Sequence, residues 1–293
     1  MSLPFGRSSA EKVEEDAELS TRSTSGSVPP ATVTLAPRVP VDIQALLSAD
    51  ALAIGYGTQT VVEDVCFDLS TGDVLAVVGH NGSGKSTLIK TLLGTLPPIA
   101  GTLAWPAERR PSIGYLGQRT EFDTRFPIRV RDLAAMGAWP NLGPLERIDR
   151  ARRDRVKSAL ERTDTAAIAD LPLHKLSAGQ LQRALFARTI VQDAQLILLD
   201  EPFVAVDQAT EAALLTLIDD WAVEGRTLVL VLHDLSAVLK HCTSALLLGD
   251  GHAVFGSPKK VLTPDNLVAH RYLSQSQADW IADMYSQPEW DDD

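Results

Sequence analysis

Cysteine is nearly absent from this sequence: 293 residues hold two, Cys66 and Cys242. They stand far apart, in none of the paired spacings of a disulfide framework or a zinc site. That excludes a stapled secreted scaffold, and the two thiols read as reduced structural residues. Long hydrophobic runs are missing as well, since none approaches the roughly eighteen residues that a membrane helix needs. The chain is therefore not expected to span a bilayer itself. Its first residues offer only Leu3-Pro4-Phe5 before polar side chains, without the apolar core of a secretory signal, which predicts a cytoplasmic protein. Basic residues are outnumbered, 27 Lys and Arg against 38 Asp and Glu, for a formal charge of −11. A surface of that sign disfavours non-specific nucleic-acid binding, which depends on neutralising phosphates, although local basic patches remain open.

What is present is enough apolar side chain, 45% of the sequence, for one sizeable core or two small ones sharing a cleft. One catalytic unit with two tails is expected. Residues 1–44 combine an acidic stretch, Glu11 to Glu18, with a Ser/Thr/Pro-rich run from Ser20 to Pro40, the composition of a disordered tail. Residues 269–293 form a second, acidic tail, with no base after Arg271 and the ending Glu289-Trp290-Asp291-Asp292-Asp293. The folded domain is set at 45–268. Within it, continuous apolar runs at Val74 to Val78, Leu196 to Leu199, Leu228 to Leu232 and Ala245 to Leu248 read as strands buried on both faces. Helical spacing over Lys85 to Leu93, Gln180 to Val191 and Thr210 to Val223 separates them and predicts an α/β fold with a parallel sheet. From Arg119 the strand signal stops. Ala, Arg and Leu at helical spacing, broken by Pro127, Pro140 and Pro144, predict an inserted helical subdomain over about 119–188.

The chemistry sits at strand ends. Gly79-His80-Asn81-Gly82-Ser83-Gly84-Lys85-Ser86-Thr87 follows the first apolar run and opens a helix, the context a phosphate-binding loop requires. Glycines let backbone N–H groups curl around phosphates, Lys85 reaches the β and γ oxygens, and the Ser86 hydroxyl is placed to ligate Mg²⁺. The second run ends in Asp200-Glu201. Asp200 would hold Mg²⁺ through water and Glu201 would polarise the water that attacks the γ-phosphate; the lesser alternative for the pair alone, an acidic start to a solvated turn, is disfavoured by the loop upstream. His233 and Asp234 follow the third run, so polar groups gather where open parallel sheets bind ligands, and His233 is assigned to the γ-phosphate and the attacking water. Leu176-Ser177-Ala178-Gly179-Gln180 starts an amphipathic helix with Ser177 as its N-cap, an end that attracts anions.

Together these motifs resemble the ATP-binding subunits of ABC transporters, over about Leu46 to Leu267. The resemblance implies a P-loop NTPase core of the RecA-like kind, an antiparallel β part and the helical subdomain already set out. It also implies ATP as substrate, Mg²⁺ as cofactor, and a homodimer in which Ser177, Gly179 and Gln180 of one subunit reach the γ-phosphate held by the other. Tyr56, in Ile54-Gly55-Tyr56-Gly57, resembles the aromatic that stacks on adenine, though alone it reads as a strand residue. Gln118 resembles the glutamine that links Mg²⁺ and the reaction to the helical subdomain. Asp207, in Val204-Ala205-Val206-Asp207, matches the acid of a loop between Mg²⁺ and the dimer interface; alone it reads as a helix cap. The chain departs from the common pattern at Ala178, where glycine is usual, which puts a methyl near the trans phosphate contact.

Phe126 to Gly137, Gly179 to Arg183 and Asp200 to Phe203 most resemble importers of zinc or manganese. That implies a separate integral-membrane permease, a separate substrate-binding protein, and a peripheral position on the cytoplasmic face of the inner membrane. The six histidines, His80, His174, His233, His241, His252 and His270, show no metal-ligand spacing. Arg147, Arg150, Arg152, Arg153, Arg155 and Lys157, interrupted by Asp149 and Asp154, read as a solvated helix face, with contact to lipid or a permease as the alternative. The run lacks the aromatics of a nucleic-acid stacking platform. Other readings are a transporter subunit for another cargo, a soluble ABC ATPase acting on ribosomes or DNA, and a P-loop phosphotransferase. The last leaves Leu176 to Gln180 unexplained.

Overall fold

The computed structural model describes residues 44–105, 110–117, 127–141 and 149–277. Gln118 and the N-terminal tail up to residue 43 lie outside them. In chain order the elements are β1 (Ala45–Tyr56), β2 (Gln59–Ser70), β3 (Val74–Gly79), α1 (Lys85–Leu93), β4 (Ala100–Ala104) and β5 (Ile113–Leu116). Then come α2 (Val130–Ala135), α3 (Arg150–Arg162), α4 (Ala178–Gln192), β6 (Leu196–Asp200), α5 (Gln208–Val223), β7 (Thr227–Val231) and α6 (Leu235–His241). The chain closes with β8 (Ser244–Gly249), β9 (His252–Gly256), α7 (Pro258–Val261) and α8 (Pro264–Ala269).

Among these residues the strands form a six-stranded sheet, ordered β5-β6-β7-β3-β8-β9, and a three-stranded antiparallel sheet, β2-β1-β4. The larger sheet is parallel from β5 to β8, and β9 turns back antiparallel. Its inner strands are apolar without alternation because both faces are covered. Successive β3 side chains show this. Val74, Ala76 and Val78 join the core shared with α2 to α6, whereas Leu75 and Val77 join the core shared with α1 and the antiparallel sheet. β2 buries one face instead, with Val65, Phe67 and Leu69 inside and Cys66 and Asp68 outside, the period-two pattern of a half-covered sheet.

Between β5 and β6 the described residues hold helices and no named strand. α4 carries this layer: Phe186 stacks on Trp221 of α5 at 5.8 Å between ring centroids. From Arg150 onward the basic run lies on α3, whose N-cap Asp149 accepts a hydrogen bond from the Arg152 N–H at 2.8 Å; Arg147 lies outside the described residues. Part of its charge is consumed internally. Arg155 pairs with Asp193 at 3.2 Å and Arg162 with Glu224 at 2.7 Å, and Arg226 joins both acids at 2.9 and 3.3 Å. Asp193 and Glu224 are the C-caps of α4 and α5, so the chain of ions ties three helix ends together. Exposed pairs of this kind contribute at most about 1 kcal/mol each.

Of the C-terminal tail expected from 269, residues 269–277 are described and 278–293 lie outside the described residues. α8 ends in a Schellman cap: Arg271 is left-handed at φ 54°, its N–H bonds Val268 O at 2.9 Å, and the Tyr272 N–H bonds Leu267 O at 2.8 Å. A non-glycine residue there costs roughly 1–2 kcal/mol. Arg271 also pairs with Asp250 at 3.0 Å, and Tyr272 and Leu273 pack on the core around Leu267. His270, 8% exposed, lies so close to the end of β8 that a side-chain carbon at Gly249 would stand 2.0 Å from its carbonyl oxygen. Gly249→Ala is therefore expected to destabilise the fold by about 1–3 kcal/mol, read as a lower urea midpoint at unchanged m-value. An unchanged midpoint would mean that the segment relaxes freely.

Candidate active site

Parallel register sets the frame of the site. Val77 on β3 and Asp200 on β6 both face Val231 on β7, the strand between them. With strands spaced by about 4.8 Å, the residues just beyond this line form one short arc: Gly79 onward, Glu201, and His233. The expected convergence of these groups is present.

The phosphate-binding loop joins β3 to α1. Gly84 is the N-cap of α1 at φ 101°, and a side chain there would meet Val62 Cγ2 at 2.6 Å. Only glycine satisfies both the backbone and the space. Lys85, 6% exposed, donates from Nζ to Gly79 O at 2.7 Å and His80 O at 2.9 Å. Burial pushes its pKa below the usual lysine value, and the nearby Glu201 and Asp200 carboxylates oppose that. The ammonium is thus held inside the loop by two carbonyls, within the field of the two acids. Ser83 Oγ is buried without a hydrogen-bond partner, a polar atom such a loop leaves for a ligand. Ser86 and Thr87 follow on the first turn of α1.

Tyr56 closes β1 beside that helix, 50% exposed, with Lys90 Nζ 3.5 Å from its hydroxyl and 5.8 Å from its ring centroid. A hydrogen bond with Thr87, helped by Lys90, holds the phenol pKa below its usual value. A half-exposed aromatic ring next to the loop suits a planar base.

Asp200, 3% exposed, ends β6. Glu201 then takes a left-handed backbone, φ 52°, a strained choice worth of order 1–3 kcal/mol that tends to mark functional positions. The turn brings its Oε1 to 3.1 Å from His233 Nε2. With Glu201 ionised, that contact requires the imidazole proton on Nε2. Gln182 of α4 locks the same turn by donating to Pro202 O at 2.6 Å.

Ser177 caps α4 as expected from its sequence position: its Oγ accepts the Gln180 N–H at 3.2 Å, and Gln180 Oε1 accepts the Ser177 N–H at 3.0 Å. This reciprocal box satisfies two orphan donors. It also engages the Ser177 and Gln180 side chains that the resemblance assigns to a partner's phosphate. Gly179 is buried against the next loop. A carbon added there would lie 3.0 Å from Thr210 Oγ1 and 3.3 Å from Asp207 Oδ2. Asp207 caps α5, accepting from the Thr210 N–H and hydroxyl, both at 2.9 Å, and those bonds hold its carboxyl below the usual range. Asp207 is thus the helix cap that its position alone suggests, and its carboxylate lies beside the Gly179 turn.

Sequence reasoning missed two contributors, Gln182 and Tyr272, whose hydroxyl donates to His233 O at 2.7 Å. No local pattern announces either. His241 and Cys242 serve packing: His241 pairs with Asp219 at 2.9 Å, and burial, reinforced by Asp219, pushes the Cys242 thiol up to about 12. Gln118 lies outside the described residues.

Comparison with known proteins agrees with this geometry. Residues 62–204 match the family model described as ABC transporter. The manganese transport system ATP-binding protein MntB of Listeria innocua is 32% identical over 75% of this chain and 94% of its own length. The zinc transport system ATP-binding protein TroB of Treponema pallidum is 38% identical over 69% and 77%. Among solved structures, a chain of an ABC transporter described as of the metal-chelate type, captured facing inward, superposes with a TM-score of 0.72 at 33% identity, over 78% of this chain and 90% of that one. The ADP conformation of an ATP-binding cassette shares the fold, with a TM-score of 0.67 at 21% identity over 78% and 99%. The chain belongs to the ATP-binding subunits of ABC transporters, and ATP hydrolysis is its activity.

Proposed function

We propose that this ATPase powers the import of a transition metal ion, manganese or zinc, through a separate integral-membrane permease. The observation that carries the reading is the likeness to MntB and TroB along most of their lengths, joined to a site with the loop, acids and histidine in one arc. Among the described residues no helix is long and apolar enough to cross a membrane. In this reading the subunit sits at the cytoplasmic face, docked on its permease and fed indirectly by a substrate-binding protein.

In this reading Tyr56 stacks on adenine, and the residues from Gly79 to Thr87 wrap the phosphates. The oxygen donors Asp200 and Ser86 suit Mg²⁺, and the near-complete burial of Asp200 fits a carboxylate kept for a cation. Gln118 is the third residue assigned to it. When bound, Mg²⁺ neutralises charge on the β- and γ-phosphates. Glu201 takes a proton from the attacking water, and His233, bonded to Glu201, aligns that water with the γ-phosphate. Ser177, Gly179 and Gln180 complete the site of the second subunit, so ATP closes a homodimer. For that contact Ser177 and Gln180 loosen their mutual cap, or the backbone N–H groups of Ala178 and Gly179 at the start of α4 serve instead. The closeness of Asp207 to the Gly179 turn links this interface to the catalytic loop, and closure is passed to the permease.

Metal content tests the proposal. Cells lacking the chain, and cells carrying Glu201→Gln, are expected to show a selective shortfall of manganese or of zinc in medium depleted of both. Normal content in both strains would remove the metal cargo and leave the ATPase assignment standing.

A further inference from the structure

His233 is aimed by its backbone more than by its side chain. Among the described residues the imidazole bonds to Glu201 alone, at 3.1 Å, and it is 46% exposed. The chain on either side is fixed. The Leu232 N–H bonds Val77 O at 3.2 Å, and Asp234 caps α6 by accepting the Ser236 N–H at 2.8 Å. Between these two anchors stands the His233 carbonyl, and its partner comes from the far end of the domain: Tyr272 Oη, at 2.7 Å.

We infer that Tyr272 is a positioning residue for hydrolysis, its hydroxyl holding the His233 carbonyl so that the imidazole keeps its alignment with Glu201. The inference rests on the role proposed for His233. Tyr272 is itself held on several sides. The Schellman cap of α8 fixes its backbone through Leu267 O, the preceding Arg271 pairs with Asp250, and the segment abuts Gly249 at the end of β8. A rigid donor of this kind reduces the freedom of the residue it holds, and small errors in aim lower the rate of a reaction that depends on alignment. Burial and the charge of Asp234 push the phenol pKa up, which keeps the hydroxyl a donor. The arrangement also makes the C-terminal segment part of the catalytic apparatus, since loss of α8 would release His233.

Steady-state ATP hydrolysis by the full chain tests this. Tyr272→Phe keeps the ring and its packing and removes one hydrogen bond, so kcat is expected to fall about five-fold with KM for ATP unchanged. His233→Ala should lower kcat by about 10²-fold, and adding Tyr272→Phe to it should cause no further loss. If His233→Ala falls and Tyr272→Phe does not, or if the two losses multiply, the inference is overturned while the site reading stands. If His233→Ala keeps the wild-type rate, the role of His233 fails and takes the inference with it. Equal thermal midpoints for wild type and Tyr272→Phe establish that a rate difference is not unfolding.

Discussion

Glu201→Gln is expected to lower kcat for ATP hydrolysis by about 10²–10⁴-fold, the range lost with a general base, while ATP affinity stays close to wild type. Glutamine keeps an oxygen that can accept from His233 Nε2, now 3.1 Å from Glu201 Oε1, and it keeps the length needed to leave the left-handed turn at φ 52°. What it loses is the capacity to take a proton from water. The barrier should rise by roughly 3–5 kcal/mol, at 1.36 kcal/mol per decade of rate. Binding should persist because the phosphates are held by the loop after β3, not by this carboxylate. A subunit that binds ATP and cannot cleave it should stay closed on its partner, so gel filtration in ATP and Mg²⁺ should give a dimer. Turnover within ten-fold of wild type would remove Glu201 as the base. A monomer in ATP would count against the sandwich of Ser177 and Gly179 on a second subunit's nucleotide.

Much of this site was legible because its signals are local. Lys85 to Leu93 is helical over the span its spacing predicts, and the run Leu196 to Asp200 is fully buried as its lack of alternation implies. Ser177 and Gln180 make the reciprocal cap that a Ser-x-x-Gln start suggests. The antiparallel sheet was visible only through the resemblance. Its register shifts between Ala49 and Leu52, where Ala51 turns left-handed at φ 45°, and this breaks the alternation that would have marked β1 as a strand. The short β5 was hidden too, since four residues containing Gly114 carry no periodicity. Least legible were bonds between distant positions. Tyr272 reaches His233 across 39 residues, and Thr227 donates to Ser70 O across 157; no window along the chain includes both partners. The contacts of His270, Tyr272 and Leu273 were hidden for the same reason, since the composition of the expected tail from 269 is polar and acidic.

Lys85→Ala is the second large effect, and it falls on binding rather than turnover. The Lys85 ammonium is buried and bonded to two loop carbonyls, and burial lowers its pKa even though the charges of Glu201 and Asp200 oppose that. Phosphate oxygens are stronger acceptors for it than neutral carbonyls, because both partners are then charged. Each hydrogen bond to a charged group is worth about 1.5–3 kcal/mol, so losing two should weaken ATP binding by roughly 10²–10⁴-fold. Lys85→Met separates the causes, as it keeps most of the buried stem and removes the charge. If the ammonium matters, the methionine and alanine variants should bind ATP equally poorly in a titration; if packing of α1 matters, methionine should restore affinity. An unchanged dissociation constant in both would end the phosphate role of Lys85. The loop geometry around Gly84 should survive either substitution, since it depends on a left-handed backbone and the neighbouring Val62, so a loss of affinity can be read as the loss of the charge itself.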